Sequence, residues 1–276
     1  MTFSPMTFHW TGQDFEPIPS AVDPDLLVAD SWRVRQGKTW DIQDHIARFV
    51  NGLAAQHTVH GAMPSVELAA FVPALERQLT AIARQQPGTE LFPRISVEKS
   101  GECSRIVLLV RPAPQPRETT TLFVPDYTDP RTRPTIKGPD IILLRGLVTQ
   151  VLTDDVVLHD GTHAIETTTG ALMLWRAPNE VVFCQSSRQL ASISARRIAE
   201  QARACNIVVV YRPVSLTELA SGEYPVWCTN TLHGISAVTT LADGQQTTSI
   251  ACHPDTATWQ NAWWRHFDSP PTTLKE

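Results

Sequence analysis

Lysine is scarce in this chain: 276 residues hold four, Lys38, Lys99, Lys137 and Lys275. With 23 basic against 28 acidic residues the net charge is −5. That excludes a general nucleic-acid binder, which needs a basic face, although a local basic pocket for an anion stays open. The five cysteines are widely spaced and form no CxxC pair, which fits reduced thiols in a cytosol better than a disulfide framework. Long apolar runs are missing as well. The longest, such as Ile106 to Val110 and Ile207 to Tyr211, have strand length, far short of a membrane span. The first residues, MTFSPMTFHWTG, lack a basic start followed by an apolar core, so no signal peptide is expected and the location expected is cytoplasmic. There is no GxSxG, P-loop or GxGxxG, hence no motif for nucleotide-dependent chemistry. Neither His57-Thr58-Val59-His60 nor His159-Asp160-Gly161-Thr162-His163 has the acidic HExxH arrangement, and both read as loop histidines rather than metal ligands. Internal repeats and low-complexity tracts are absent.

What is there is an ordinary globular composition, 42% hydrophobic and 18% charged, with length enough for one large domain or two compact ones. Proline and polar residues make residues 1 to 24 read as irregular. Leu26 to Arg35 reads as a strand, turning at Gln36-Gly37-Lys38 into a return strand at 39–42. Helices are predicted from Asp44, with Ile46, Phe49, Val50 and Leu53 on one face, and from Ser65, where Pro73 interrupts the apolar stripe. Residues 91–97 and 104–111 read as paired strands around a Lys99-Ser100-Gly101 turn, and 119–124 as another strand.

Four prolines between Pro125 and Pro139 mark a junction. The predicted domains are therefore 1–128 and 129–276. In the second, 140–152 and 192–205 read as helices, 215–220 as a short helix capped by Ser215 and Glu218, and 156–159, 164–168, 172–176, 181–184, 207–211, 225–229 and 235–241 as strands.

Within the junction stands Thr135-Ile136-Lys137-Gly138-Pro139-Asp140. A lone lysine there is ordinarily a solvated charge. The order downstream changes the odds: Glu166 in a Thr-rich setting, a helix start at Ser192, then Cys228-Thr229-Asn230-Thr231-Leu232-His233-Gly234. An amine, an acid and several phosphate-sized donor sites in that order suggest an enzyme of pyridoxal 5'-phosphate (PLP).

Four blocks carry a resemblance: Asp44-His45-Ile46-Ala47-Arg48-Phe49; Ile136-Lys137-Gly138; Asp154-Asp155-Val156-Val157-Leu158 through Ala164-Ile165-Glu166-Thr167-Thr168; and Thr229 to Ile235. In this order they resemble the class IV aminotransferases, the PLP fold type IV group that includes branched-chain and D-amino acid aminotransferases and 4-amino-4-deoxychorismate lyase, over roughly residues 27 to 241. The resemblance implies a two-domain α+β fold, D-amino acid aminotransferase-like, with a smaller α/β N-terminal domain and a barrel-like C-terminal one, and a homodimer acting on a small-molecule amino substrate.

PLP needs an amine to hold its aldehyde and then to move protons at the substrate carbon. Lys137 takes both roles by resemblance, and the other lysines lie at turns or at the terminus. Glu166 resembles the acid that keeps the pyridine nitrogen protonated; an exposed strand glutamate is the plain alternative. Arg48 resembles the phosphate arginine, whose planar fork suits the ligand, against a solvent-facing helix charge. Ile193 and Ser194 stand at a predicted helix N-terminus. Thr231 adds a hydroxyl and an amide, or is an ordinary turn residue. Weaker substrate candidates are Arg131 and Arg133, with exposed linker charges slightly favoured, and Asn230 and His233, which could equally stabilise their turn. Gly138-Pro139-Asp140-Ile141-Ile142 stands where branched-chain transaminases carry a tyrosine, and Ala171 lies near the place of an asparagine found in many members. With the Asn-Thr-Leu-His-Gly block, the missing tyrosine tilts the expectation to an aminodeoxychorismate lyase-like reaction, releasing pyruvate to give 4-aminobenzoate. The alternatives are an amino-acid aminotransferase and a non-catalytic relative.

Overall fold

Most of the strands of the first 110 residues pair into one antiparallel sheet, and two short ones form a separate hairpin. The structure, a computed structural model, describes residues 3–22, 24–60, 63–100 and 103–268. It opens with β1 (Met6–Trp10), β2 (Phe15–Pro17), β3 (Leu26–Ser31), β4 (Val34–Arg35), β5 (Lys38–Thr39), α1 (Ile42–His60), α2 (Leu68–Gln85), β6 (Arg94–Ser100) and β7 (Cys103–Val110). The sheet runs β2-β1-β7-β6-β3.

The irregular start expected for residues 1–24 is corrected, since two of these strands come from it. β1 pairs with β7, and the rings of Trp10, Phe15 and Phe71 meet at 5.2–5.6 Å. Strand character here comes from pairing with a partner about a hundred residues away, which a local pattern does not carry.

The predicted hairpin forms, but its strands are two residues each. Gln36 and Gly37 have φ of 51° and 74°, the left-handed pair of a tight hairpin turn. The turn predicted at Lys99-Ser100-Gly101 includes Gly101, outside the described residues. α2 begins at Leu68 rather than Ser65 and runs through Pro73 unbroken, with Phe71, Leu75, Leu79 and Ile82 buried. α1 packs on β3, all six of whose residues are buried.

The rest of the described chain gives β8 (Thr119–Phe123), α3 (Ile141–Thr149), β9 (Asp155–His159), β10 (His163–Thr167), β11 (Ala171–Ala177), β12 (Glu180–Cys184), α4 (Ile193–Ala204), β13 (Val208–Arg212), β14 (Val214–Ser215), α5 (Leu216–Leu219), β15 (Val226–Asn230), β16 (Gly234–Ala242), β17 (Thr247–Ser249) and α6 (Thr256–Arg265). Their sheet runs β13-β12-β11-β15-β16-β8-β9-β10-β14, with β17 on β16. Pro213 alone separates its two terminal strands, so the sheet must curl until its ends approach. Leu122, Val157, Leu172, Leu174, Val182, Val214, Val226 and Val238 fill the inside of that curl. This is the barrel-like sheet expected. Helix α6 had no counterpart in the sequence reading.

Two compact units result. One is Met1–Pro114 with Ile136–Ile141 and His266–Glu276; the other is Gln115–Thr135 with Ile142–Arg265. Beside the 128/129 division read from the sequence, two segments stand differently. Gln115–Thr135 goes with the second unit because β8 lies parallel between β16 and β9. The strap Ile136–Ile141, carrying Lys137, goes with the first.

Candidate active site

In the first unit the candidate residues gather at β3. Asp30, on this buried strand, is fully enclosed. Its carboxylate accepts from the Ser31 amide at 2.7 Å, His45 Nδ1 at 2.8 Å, and Arg48 Nε and Nη2 at 2.7 and 2.9 Å. His45 and Arg48 are three residues apart on α1, hence on one face. Burial opposes the charge on Asp30, yet the charges of Arg48, His45 and Lys137 hold its carboxyl far below the usual range. Burial also depresses His45, against the pull of Asp30. A carboxylate only accepts, so the hydrogen between the two lies on Nδ1.

Lys137 is fixed by its backbone. Its carbonyl accepts from the Ala29 amide at 2.6 Å. Gly138 has φ +136°, and a Cβ there would meet the Val28 and Ala29 backbone at 2.7 Å. Only glycine lets the strap lie this close to β3. Ile136 packs against the apolar core of this unit, and the Gly138 carbonyl accepts from the Ile141 amide at 3.0 Å, starting α3.

In the second unit Glu166 is buried on β10. Its Oε1 accepts from Arg131 Nη1 at 2.6 Å and the Leu190 amide at 3.0 Å, while Oε2 accepts from no described residue. Burial pushes its pKa up, opposed mainly by the Arg131 charge. Arg131 was read as an exposed linker charge or a weak substrate ligand; both readings are corrected. It is buried, and its N–H groups go to both Asp129 oxygens, Glu166, the Pro134 carbonyl and the Arg188 carbonyl. A guanidinium has five N–H groups, so none remains for a substrate carboxylate. Arg188 closes the cluster on Asp129 at 2.9 Å. Arg133 is exposed and outside this cluster.

Ile193 and Ser194 begin α4. Ser192 caps it, its hydroxyl accepting from the Ala195 amide at 3.2 Å and its carbonyl from Arg196. The amides of Ile193 and Ser194 make no hydrogen bond among the described residues, as first-turn amides do when no ligand meets them. Thr231 lies in the β15–β16 turn. There Asn230 Oδ1 accepts from the Leu232 and His233 amides at 3.0 and 2.8 Å, and His233 Nδ1 accepts from the Arg117 amide at 3.2 Å. Both candidate substrate residues of this loop therefore have structural work.

Lys137 and Arg48 thus share the neighbourhood of Asp30 in one unit, while Glu166, Ile193, Ser194 and Thr231 belong to the other. Sequence reasoning missed Asp30, Asp129 and Arg188. No motif marks them, although an acid on an otherwise apolar strand was a usable signal for Asp30. His159 is spent on the Pro125 carbonyl and the Gly161 amide. The side chain of His60 lies outside the described residues.

By chemistry, each unit holds groups that PLP uses: an amine and a cation in the first, and in the second helix amides with no partner among the described residues and a buried acid whose Oε2 accepts from no described residue. Comparison with known proteins agrees. No curated protein matches the sequence significantly. Among solved structures, a fold IV transaminase from Curtobacterium pusillum superposes with TM-score 0.77 at 16% identity, covering 96% of this chain and 98% of that one. A hypothetical aminotransferase from Mycobacterium tuberculosis in PLP-bound form gives 0.76 at 15%, covering 96% and 99%. A putative branched-chain amino acid aminotransferase from Thermotoga maritima gives 0.75 at 16%, covering 98% and 99%. At these identities the likeness speaks for the fold. The family is settled by the sequence, since the amino-transferase class IV model matches residues 27–241; the chain belongs to the class IV aminotransferases, PLP-dependent enzymes of fold type IV.

Proposed function

We propose that this protein is an amino-acid aminotransferase in which Lys137 binds PLP and moves the proton at the substrate carbon. Bound PLP supplies an electron sink for the carbanion that proton loss leaves behind. The chain's own residues do the rest. The Lys137 amine takes the proton from the carbon bearing the amino group and returns one to complete the exchange. Arg48 offers a guanidinium to the phosphate, held by Asp30, and the Ile193 and Ser194 amides with Thr231 add neutral donors. Glu166 would offer Oε2 to the pyridine nitrogen, and the Arg131 charge opposes the rise that burial imposes on its pKa.

The observation that carries this reading is the strap: Lys137 is locked by Ala29 and Gly138 onto the strand that holds Asp30, the partner of Arg48. The relatives' names favour amino transfer. A lyase-like reaction, releasing pyruvate from aminodeoxychorismate, is the second reading, favoured by Gly138-Pro139-Asp140 where a tyrosine is expected in branched-chain enzymes. Within either reading a homodimer in the cytoplasm is the expected setting.

The test is a panel of L- and D-amino acids, each offered with pyruvate or 2-oxoglutarate and read as keto acid formed, beside aminodeoxychorismate read as pyruvate and 4-aminobenzoate. Keto acid formation that Lys137→Ala abolishes supports the proposal. Pyruvate release without amino transfer replaces it with the second reading.

A further inference from the structure

Asp155 is buried and makes no ion pair among the described residues. It begins β9 fully enclosed, yet every hydrogen bond it accepts from a described residue comes from a hydroxyl or an amide. Thr167 Oγ1 donates to Oδ2 at 2.9 Å, the Thr168 hydroxyl donates to Oδ1, and the Thr169 hydroxyl to Oδ2. The Val156 and Thr168 amides add bonds to Oδ1 at 2.8 and 3.1 Å. A buried carboxylate costs several kcal/mol unless its lone pairs are filled. Three consecutive threonines pointing at one carboxylate fill them.

These threonines form the turn from β10 to β11, directly after Glu166. Thr167 Oγ1 also accepts from the Gly170 amide at 2.9 Å, so the turn closes on itself around Asp155. Its far side meets the end of β15. A Cβ at Gly170 would lie 2.6 Å from the Thr229 carbonyl, and Cys228 Sγ is 3.4 Å from Thr167 Oγ1. Asn230 Nδ2 reaches Thr169 Oγ1 at 3.5 Å, and the same Asn230 closes the loop that carries Thr231.

We propose that Asp155 is a positioning residue for the cofactor site: by holding the Thr167–Gly170 turn it sets the strand end carrying Glu166 and, through Thr169 and Asn230, the loop carrying Thr231. It touches neither substrate nor cofactor and acts through the threonines. The proposal rests on the assignment of Glu166 and Thr231 to PLP.

The test compares Asp155→Asn, the near-isosteric Thr169→Val and the hydroxyl-keeping Thr169→Ser in the full chain. Hydrogen exchange on cofactor-free protein reads the turn and the loop. Titration with PLP, followed by the pH midpoint of the bound cofactor's absorption, reads the site. Asp155→Asn and Thr169→Val are expected to speed exchange of the Leu232 and His233 amides, weaken PLP by roughly tenfold and move the spectral midpoint. Thr169→Ser behaves as wild type. Unchanged exchange at 232–233 in Thr169→Val overturns the relay, and that variant decides even if Asp155→Asn fails to fold. Altered exchange with unchanged PLP affinity and midpoint reduces Asp155 to a local structural role and overturns the proposal. A wild-type protein that ignores PLP fails the functional reading itself, which the exchange arm does not depend on.

Discussion

Asp30 is the residue on which the first half of the site turns. Asp30→Asn leaves the Arg48 guanidinium beside a neutral amide, and breaking such a pair should cost about 3 kcal/mol at pH 7. The sign with pH follows from its depressed pKa. A carboxyl lowered in the folded state contributes stability that is full above its unfolded pKa and fades as the pH falls below it. The difference between wild type and Asp30→Asn, measured by denaturant unfolding, should therefore be largest near neutrality and shrink toward acid. Gly138→Ala tests the strap. Its Cβ would meet backbone at 2.7 Å, which nothing flexible can relieve, so a loss of at least about 2 kcal/mol is expected, read as a lower Tm and weaker PLP binding. Arg48 and Lys137 were candidates from their blocks, and the structure places both near Asp30. The buried partners were not, because an acid in a linker (Asp129) or on an apolar strand (Asp30) owes its role to what folding brings against it.

Elements were legible where one face alone decides them. The stripes of α1, α2 and α4 and the Ser215 cap of α5 follow local rules, the last with its hydroxyl accepting from the Glu218 amide at 3.0 Å. β1 and β2 did not, since β1 owes its strand character to pairing with β7 and β2 to pairing with β1. For α4 the cap also orders the first turn that carries the proposed phosphate donors Ile193 and Ser194. Ser192→Ala should destabilise the helix by about 1 kcal/mol and loosen the first turn. Phosphate-bearing ligands should weaken with it, whereas pyridoxal without its phosphate should bind Ser192→Ala and wild type alike. Titration of both compounds against both proteins reads this directly.

Across the whole molecule the thiols divide sharply. Cys184 and Cys228 are buried in the second unit's core, and burial pushes both up to about 12. Cys103, Cys205 and Cys252 are exposed. Reactivity follows the thiolate, so a disulfide reagent at pH 8 should label the exposed three quickly. The buried pair should react only on unfolding, at the rate at which the barrel-like sheet opens. Rapid labelling of Cys228 in the native protein would contradict the packing of β15 against the Thr167 turn.

The strap has a consequence for synthesis. The chain that completes β3 emerges from the ribosome only after some twenty residues destined for the second unit, Gln115–Thr135. A nascent chain stalled at Pro114 would present β3 with the Ala29 amide unmet and Asp30 without the Lys137 charge. Domains ordinarily fold in the order they are made; here the first unit waits for the strap that carries Lys137, and completion of β3 and arrival of that lysine become one event.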